Sequence, residues 1–552
     1  MYKQAQNTYL WGDHLNTVAS FREHSSNLKN IFVGKPLQNK EHCLIEDIND
    51  CQYSTYQIVE KIVFSPYWMH TTLNIFFSDI LVYNLIILSS FATSGISGYL
   101  LCSQFLRNQN LNDKSKKLIA LLGSLFVSIA PIRVHHLLVG HRNGFLFFVA
   151  ILVAFLFEKQ IRTSKKTIYS LICYLITILL LLFLNFAESF LALYSLIYLS
   201  MRIGLEIFMQ MGKPKTNIIN TLWSNIIKYS NFFISCTLIV LNKLFVDFSN
   251  LSESIIQKGR PIDVINHLSP EIENLWTKNI FEHEHHIFLG FGLLVLSVFL
   301  LKLIFQNTEN KARNLFFWIT SVIFLAITVG SNTPLYMLFY NYFPMFKFSR
   351  TPARAMFFVF MLVGILTTLL YKHIDKLKNK TLQYTVLIFS IFLIIANFYS
   401  FKPISTTTLI QNEIVDTRNF VERKFQGQKC RLLYLPYTSS GDFFGSIYEY
   451  SLSNTHCTSL NGYHPYPSLE IDQIENEYIC AINNLKFNNQ DIQNLILEQK
   501  IDVVIVFKKF FDASQLENYE LECTTTHNLD NLYDFDEFLI FETEHIAILE
   551  LT

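Results

Sequence analysis

The chain has 552 residues, of which 51% are hydrophobic and only 16% charged. Its mean hydropathy of +0.28 is too apolar for a soluble protein of this length. Lys plus Arg and Asp plus Glu number 44 each, so no net charge favours a nucleic-acid partner. The composition excludes an ordinary soluble domain and indicates a membrane protein.

The segment before the first apolar run is polar at its start. Residues 1–79 are predicted to form an N-terminal extracytoplasmic loop with amphipathic helices, including Leu15–Phe32. Residues 1–10 contain neither a signal peptide nor a span. Either this segment re-enters the membrane from outside, or a further span lies upstream of residue 1, and we expect the second.

Ten apolar runs lie between residues 80 and 401, and they predict a polytopic helical membrane domain of about ten or eleven spans. A helix needs roughly 20 residues to cross a bilayer, so the short third run is expected to be tilted or sheltered. The runs are Ile80–Phe105, Leu118–Leu138, Gly144–Phe157, Ile168–Phe186, Phe190–Ile207, Ile226–Phe245, Ile287–Phe305, Leu315–Gly330, Ala355–Tyr371 and Tyr384–Phe401.

Lys and Arg are concentrated in alternate connections between these runs. The set of connections rich in Lys and Arg comprises 107–117, 159–166, 213–215, 311–313 and 372–380. By the positive-inside rule this set faces the cytoplasm. The other connections and everything after 401 then face outward, in a multi-pass membrane protein.

Residues 402–552 are predicted to form a small extracytoplasmic α/β domain, because apolar strand patterns there flank a helical one. No glycine-rich phosphate loop follows either buried strand, so no nucleotide site is predicted. The strands are Arg431–Leu435, Asp502–Phe507 and a closing hairpin of Phe538–Phe541 with Ala547–Leu551, and the helix is Asn489–Glu498.

The nine cysteines show no Cys-x-x-Cys or Cys/His ligand spacing, which argues against zinc and iron–sulfur sites. Four of them lie in the C-terminal region, where an oxidising compartment would permit a disulfide. These are Cys430, Cys457, Cys480 and Cys523. Their pairing is left open by the sequence.

Asp13 follows Gly12 just before the amphipathic stretch Leu15–Phe32. A carboxylate on a turn at the membrane surface could deprotonate an acceptor hydroxyl as a general base. A solvated turn or a helix cap explains the same dipeptide, since Gly-Asp is common in turns.

Basic residues cluster at the outer ends of the second and third runs, where they suit an anionic phosphate. Interface anchoring is the alternative for each single member. The histidines lack a carboxylate companion at ligand spacing, so a metal site is not predicted here. The members are Arg133, His135, His136, His141 and Arg142.

Two further motifs lie on outward connections. Glu282 and Glu284, in the string EHEHH, either ligate a divalent metal ion or form a charged helix entry, and both readings stay open. Arg350 and Arg354 lie four residues apart around Pro352, where a helix N-terminus would favour an anion such as a diphosphate. Anchoring of the span is the alternative for these arginines.

Glu188, beside Asn185, is close to an outer membrane face. A carboxylate in a membrane is costly and by default indicates function. A short outer hairpin is the alternative explanation.

The ordered series of motifs resembles the large family of bacterial GT-C-type membrane glycosyltransferases. The motifs are Gly12-Asp13, YNLIILSSFATSGISGYLL, SIAPIRVHHLLVGH, RPIDVINHLSP, FLGFGLL and YFPMFKFSRTPARAMFF, followed by LLYLPY, LNGYHPYP and IDVVIVF. The likeness extends from Trp11 to the end of the chain. It depends on the order of the motifs, since none is specific alone.

The resemblance implies a polyprenyl-phosphate-linked sugar as donor and a glycan or lipid as acceptor. It also implies a catalytic carboxylate at Asp13, an acidic position at Glu282 and Glu284, and paired arginines at Arg350 and Arg354. The chain departs from the family pattern in lacking the first span and a second acidic pair on the first outer loop. A flippase for a lipid-linked intermediate and a non-catalytic membrane scaffold are the alternative functions.

Overall fold

The computed structural model describes part of the chain. The described residues are 79–107, 112–138, 142–162, 168–211, 229–242, 262–267, 269–275, 311–347, 351–374, 411–435, 437, 490–508 and 538–550, with 73, 448, 451, 452, 455, 457–460, 478 and 482. Contacts divide the chain into two compact units. One is helical, within residues 85–403, and the other contains residues 404–552.

The helical unit is built from the predicted apolar runs. Its helices are α1 (Asp79–Leu106), α2 (Asp113–Ser128), α3 (Pro131–Leu138), α4 (Arg142–Arg162), α5 (Ile168–Ala187), α6 (Ser189–Met211), α7 (Ser230–Asn242), α8 (Ile262–His267), α9 (Lys311–Thr328), α10 (Pro334–Tyr342), α11 (Pro344–Lys347) and α12 (Met356–Ile374). Short 3₁₀ turns occupy Ile272–Leu275, Gly330–Asn332 and Pro352–Ala355.

Several of these helices suit a bilayer. Among the described residues, four are long and apolar enough to cross it, namely Leu81–Leu106, Asn143–Ile161, Ser189–Gln210 and Pro352–Leu370. The pair α2 and α3 makes a fifth if it counts as one bent span, and Ile172–Ala187 and Ala312–Thr328 are shorter apolar helices. The chain is thus a multi-pass membrane protein. The number of spans stays a prediction, because Ile287–Phe305 and Tyr384–Phe401 lie outside the described residues.

The predicted run Leu118–Leu138 is broken rather than continuous. α2 ends at Ser128, α3 begins at Pro131, and the two helices meet at a bend of 49°. Proline has no backbone N–H and its ring obstructs the preceding turn, which interrupts a helix at this position. The bend redirects the chain before the histidines of α3.

α12 lies at the centre of the helical unit. The span Pro352–Leu370 is 94% buried, against 39% for Leu81–Leu106. α2 crosses α12 where Gly123 meets Gly364, and a Cβ on Gly123 would lie 2.8 Å from the Gly364 carbonyl oxygen and from Cys102 Sγ. Small residues at such crossings let helix backbones approach closely in a membrane. The crossing therefore fixes α12 against α1 and α2.

The C-terminal unit is a small α/β domain. It contains α13 (Gln411–Phe425), β1 (Cys430–Leu435), β2 (Cys457–Ser459), α14 (Gln490–Glu498), β3 (Val503–Phe507), β4 (Leu539–Glu542) and β5 (Ile546–Leu549). The sheet order is β2-β1-β3-β5-β4. β1 pairs in parallel with β2 and β3, and β5 pairs antiparallel with β3 and β4.

The predicted strands and helix of this domain are confirmed within one or two residues of their ends. One face of the sheet packs Leu433, Val504 and Leu549 against Ile492 and Ile496 of α14. β2 and α13 were not predicted. Cys430 and Cys457 face each other across β1 and β2 and form a disulfide, which settles a pairing that the sequence left open.

Candidate functional site

The structure describes some of the predicted site residues and not others. Asp13, His141, Glu282, Glu284 and Arg350 lie outside the described residues. Arg142 is the first residue of α4. The described members that remain are Arg133, His135, His136 and Arg354.

Arg133 lies in the first turn of α3 and is 0% exposed. Its Nη1 donates a hydrogen bond to the Ser128 carbonyl at the end of α2, and its Nη2 donates to Ser90 Oγ at 2.9 Å. The guanidinium also lies over the Phe91 ring, 4.7 Å from its centre. The side chain is thus enclosed between α1 and the break that separates α2 from α3.

The two histidines of α3 lie one turn further on. His136 is 1% exposed, and its ring is 5.3 Å from that of Phe357 at the start of α12. His135 is half-buried, with its ring 6.4 Å from His136. A Cβ on Gly144 would lie 3.2 Å from the His136 carbonyl carbon, so α4 begins directly against this segment.

Arg354 lies in the 3₁₀ turn that leads into α12 and is half-buried. Its guanidinium carbon is 5.2 Å from the ring centre of Phe190, in the first turn of α6. Glu188, also half-buried, is the single residue between α5 and α6. Asn185, in the last turn of α5, is buried, and among the described residues neither of its amide atoms has a hydrogen-bond partner.

The RPIDVINHLSP motif ends beside the same turn. Ser269 Oγ accepts hydrogen bonds from the Ser331 N–H and hydroxyl, both at 3.0 Å. Gly330 has φ +66°, and a Cβ there would clash with Ser269 and lie 2.8 Å from Pro352 Cγ. A side chain would therefore separate the loop from the Pro352–Ala355 turn.

Aromatic rings form the apolar surroundings of this turn. Phe358 of α12 stacks on Phe324 at 5.3 Å and meets Tyr194 at 5.9 Å. Phe346 meets Tyr194 and Tyr336, with ring centres 6.5 Å and 5.8 Å apart. Burial raises the pKa of Tyr336, so its hydroxyl stays protonated.

Three segments that are distant in sequence thus meet at the start of α12. They are the histidines of α3, the junction of α5 with α6, and the turn that carries Arg354. A half-buried guanidinium at the N-terminal end of a helix is suited to an anion, because the helix dipole adds to its charge. Low-dielectric surroundings strengthen such an interaction. The phosphate-binding roles themselves stay predictions.

A second polar group in the helices was missed by sequence reasoning. Arg202 of α6 donates to Glu158 of α4 at 2.7 Å and to Glu206 at 2.7 Å. The Tyr198 hydroxyl donates to Glu158 at 3.2 Å. Arg202 and Glu206 are four residues apart within an apolar run, and this ion-pair spacing is the signal that would have revealed the group. Among the described residues, no three His, Cys, Asp or Glu side chains converge as metal ligands.

No family model matches the chain, and no curated protein is similar to it in sequence. Solved structures are similar in fold. An oligosaccharyltransferase from Archaeoglobus fulgidus, tethered to an acceptor peptide, aligns at a TM-score of 0.46 and 9% identity over 81% of this chain and 61% of its own. The archaeal oligosaccharyltransferase AglB of that organism, with an inhibitory peptide and a dolichol-phosphate, aligns at 0.50 and 9% over 92% and 68%.

The second alignment shows that the helices and the small C-terminal sheet match a GT-C-like fold. The chain spans 61% of the length of the first of these solved proteins and 68% of the second. At such low identity the likeness is one of fold, because one fold carries many functions.

Proposed function

We propose that the chain is a membrane glycosyltransferase that moves a sugar from a polyprenyl-phosphate donor to an extracytoplasmic glycan or lipid acceptor. The observation that carries the proposal is the meeting of His136, Arg354 and the Ser269 loop at the start of α12. These residues belong to three of the motifs that resemble the family, and the GT-C-like fold supports the same reading. A cation beside a low-dielectric boundary stabilises a departing phosphate more than it would in water.

In the proposed reaction, Asp13 takes the proton of an acceptor hydroxyl. The hydroxyl oxygen forms a bond to the anomeric carbon of the sugar, and the bond from that carbon to the phosphate oxygen breaks. The polyprenyl phosphate leaves as an anion, held by Arg350 and Arg354 with His135, His141 and Arg142, while the buried His136 packs beside them against the start of α12. A divalent cation at Glu282 and Glu284 is a separate part of the prediction, and no step here depends on it.

The proposed location is the bacterial inner membrane, with the C-terminal domain outside the cytoplasm. The disulfide between Cys430 and Cys457 supports this orientation, because disulfides persist mainly in oxidising compartments. A cysteine introduced at Glu422, which is exposed on α13, should react with a membrane-impermeant maleimide in intact spheroplasts above the wild-type level if the orientation is right. Labelling only after lysis would contradict it.

The test of the function is transfer in proteoliposomes from a panel of polyprenyl-phosphate sugars. Wild type should transfer one of them, and Asp13→Asn should lower the rate by about 10²–10⁴-fold, the usual contribution of a general base. Asp113→Asn is the matched control, since Asp113 is 91% exposed and lies within the Lys-rich connection predicted to be cytoplasmic.

Equal transfer by wild type and Asp13→Asn would show that the base is wrongly assigned. Movement of the lipid-linked sugar between leaflets without transfer would favour the flippase. A folded wild type that does neither would favour the scaffold.

A further inference from the structure

The geometry points to Arg133 as a positioning residue that holds the broken span α2–α3 in shape, and not as a ligand of the phosphate. The kinetic test of this inference rests on the proposed function. The structural test rests on the contacts of Arg133 alone.

The contacts of Arg133 leave little of it for a ligand. Both Nη atoms donate within the protein, to the Ser128 carbonyl and to Ser90 Oγ. The Phe91 ring covers the guanidinium, and the side chain is 0% exposed. Nε is buried and forms no hydrogen bond with any described residue, and a phosphate could reach it only if the surrounding side chains moved.

The partners of Arg133 identify its task. The last carbonyls of a helix lack intrahelical donors, and Ser128 is the last residue of α2. A basic side chain near a helix C-terminus satisfies such a carbonyl and interacts favourably with the negative end of the dipole. Arg133 therefore caps α2 from the first turn of α3, across the break at Ile129 and Ala130. Among the described residues, no carboxylate forms an ion pair with it.

The cap is connected to the candidate site through α3. His136 lies one turn after Arg133 and packs on Phe357. Arg354 lies three residues before Phe357 and leads into the same helix. On its other side, His136 is fixed by the close approach of Gly144. A change in the bend would thus move His136 relative to the start of α12.

The test compares donor kinetics of Arg133→Met, Arg133→Lys and Arg354→Gln. Arg133→Met should lower kcat by roughly 10–100-fold, because small misplacements far from the chemistry have effects of this size. The donor KM should stay near the wild-type value. Arg133→Lys should recover part of kcat, since an ammonium can still cap one carbonyl. Arg354→Gln should instead raise the donor KM.

A second measurement keeps the inference independent of activity. Diethyl pyrocarbonate modification, read by mass spectrometry, should leave His136 unreactive in wild type and modify it in Arg133→Met. If that variant does not fold, Ser90→Ala removes one partner without touching the charge and should give a smaller change in the same direction.

An increase in donor KM for Arg133→Met as large as that for Arg354→Gln would make Arg133 a phosphate ligand and overturn the inference. Unchanged kcat together with an unreactive His136 would also overturn it. A wild type that transfers no sugar would count against the proposed function. The modification of His136 by diethyl pyrocarbonate would still test whether Arg133 caps α2.

Discussion

Arg202 and Arg133 are both enclosed in the helical unit, yet they meet different partners. Arg202 is 2% exposed and lies between Glu158 and Glu206. Arg133 is 0% exposed and meets a backbone carbonyl and a serine hydroxyl. The first arginine is neutralised by acidic side chains, and the second by the end of a helix.

The two regions lie at opposite ends of α4. Asn143, next to the α3 histidines in sequence, is at its start, and Glu158 is fifteen residues later, about 22 Å along a helix axis. The Glu158 end is an ion-pair group with Arg202 and Glu206, whereas the α3 end joins a bend, two histidines and the turn of Arg354. A charged side chain inside a membrane by default indicates function. Here Arg202 pairs with carboxylates and has a packing role, whereas Arg133 binds the end of a helix beside the candidate site.

The largest expected effect comes from breaking the Arg202 group. Arg202→Met leaves Glu158 buried without its cation and should lower the free energy of unfolding by about 3–5 kcal/mol. The measurement is SDS-induced unfolding of the purified protein in mixed micelles. The double variant Glu158→Leu with Arg202→Met removes both charges and should recover most of the loss. A single variant as stable as wild type would show that the pair is not enclosed as described.

The next effect concerns the crossing that fixes α12. Gly123→Ala places a Cβ against Gly364 and Cys102, and overpacking of this kind costs about 1–3 kcal/mol. Gly204→Ala is the matched control on α6, two residues from Arg202, because a Cβ there meets no atom of the described residues within 4 Å. The control should gain about 0.5–1 kcal/mol from helix propensity. The same assay measures the free energy of unfolding of both variants. Equal changes in the two would contradict the close approach of α2 and α12 at Gly123.

The smallest expected loss is that of the cap. Arg133→Met removes a charge whose partners are neutral, so no buried ion is left behind. The free energy of unfolding should fall by about 1–2 kcal/mol, the range for a cation at a partly buried helix C-terminus. A loss as large as that of Arg202→Met would indicate a charged partner for Arg133 and would remove the contrast between the two arginines.

Most of the helices and the core of the C-terminal sheet were predictable from local pattern. The apolar runs predicted the long apolar helices that the structure describes. The sequences RLLYL and VVIVF predicted the buried strands β1 and β3. β2 has only three residues, too few to show a pattern. The pairing of Cys430 with Cys457 depends on strand register, which residue types do not specify.

The candidate site was predictable in its parts and not in its assembly. Clusters around Arg133 and Arg354 stood out by residue type, while their meeting at α12 depends on helix packing. Pro131 interrupts a run that otherwise has the length of one span. Mean hydropathy over the run does not show the break, because the residues on both sides of the proline are apolar. Arg133 suits a phosphate by its type and its place near a membrane face, and its carbonyl partner could not be read from the sequence.

The most direct test of the proposed function is the dependence of sugar transfer on donor concentration, measured in proteoliposomes for wild type, Arg354→Lys and Arg354→Gln. Arg107→Gln is the control, since Arg107 is exposed at the end of α1. The account predicts transfer from a polyprenyl-phosphate sugar, a donor KM raised about 10-fold or more by Arg354→Gln, as expected for loss of one charge-assisted contact, and a smaller increase for Arg354→Lys. Unchanged donor KM in both variants, or no transfer by folded wild type from any lipid-linked donor, would contradict it.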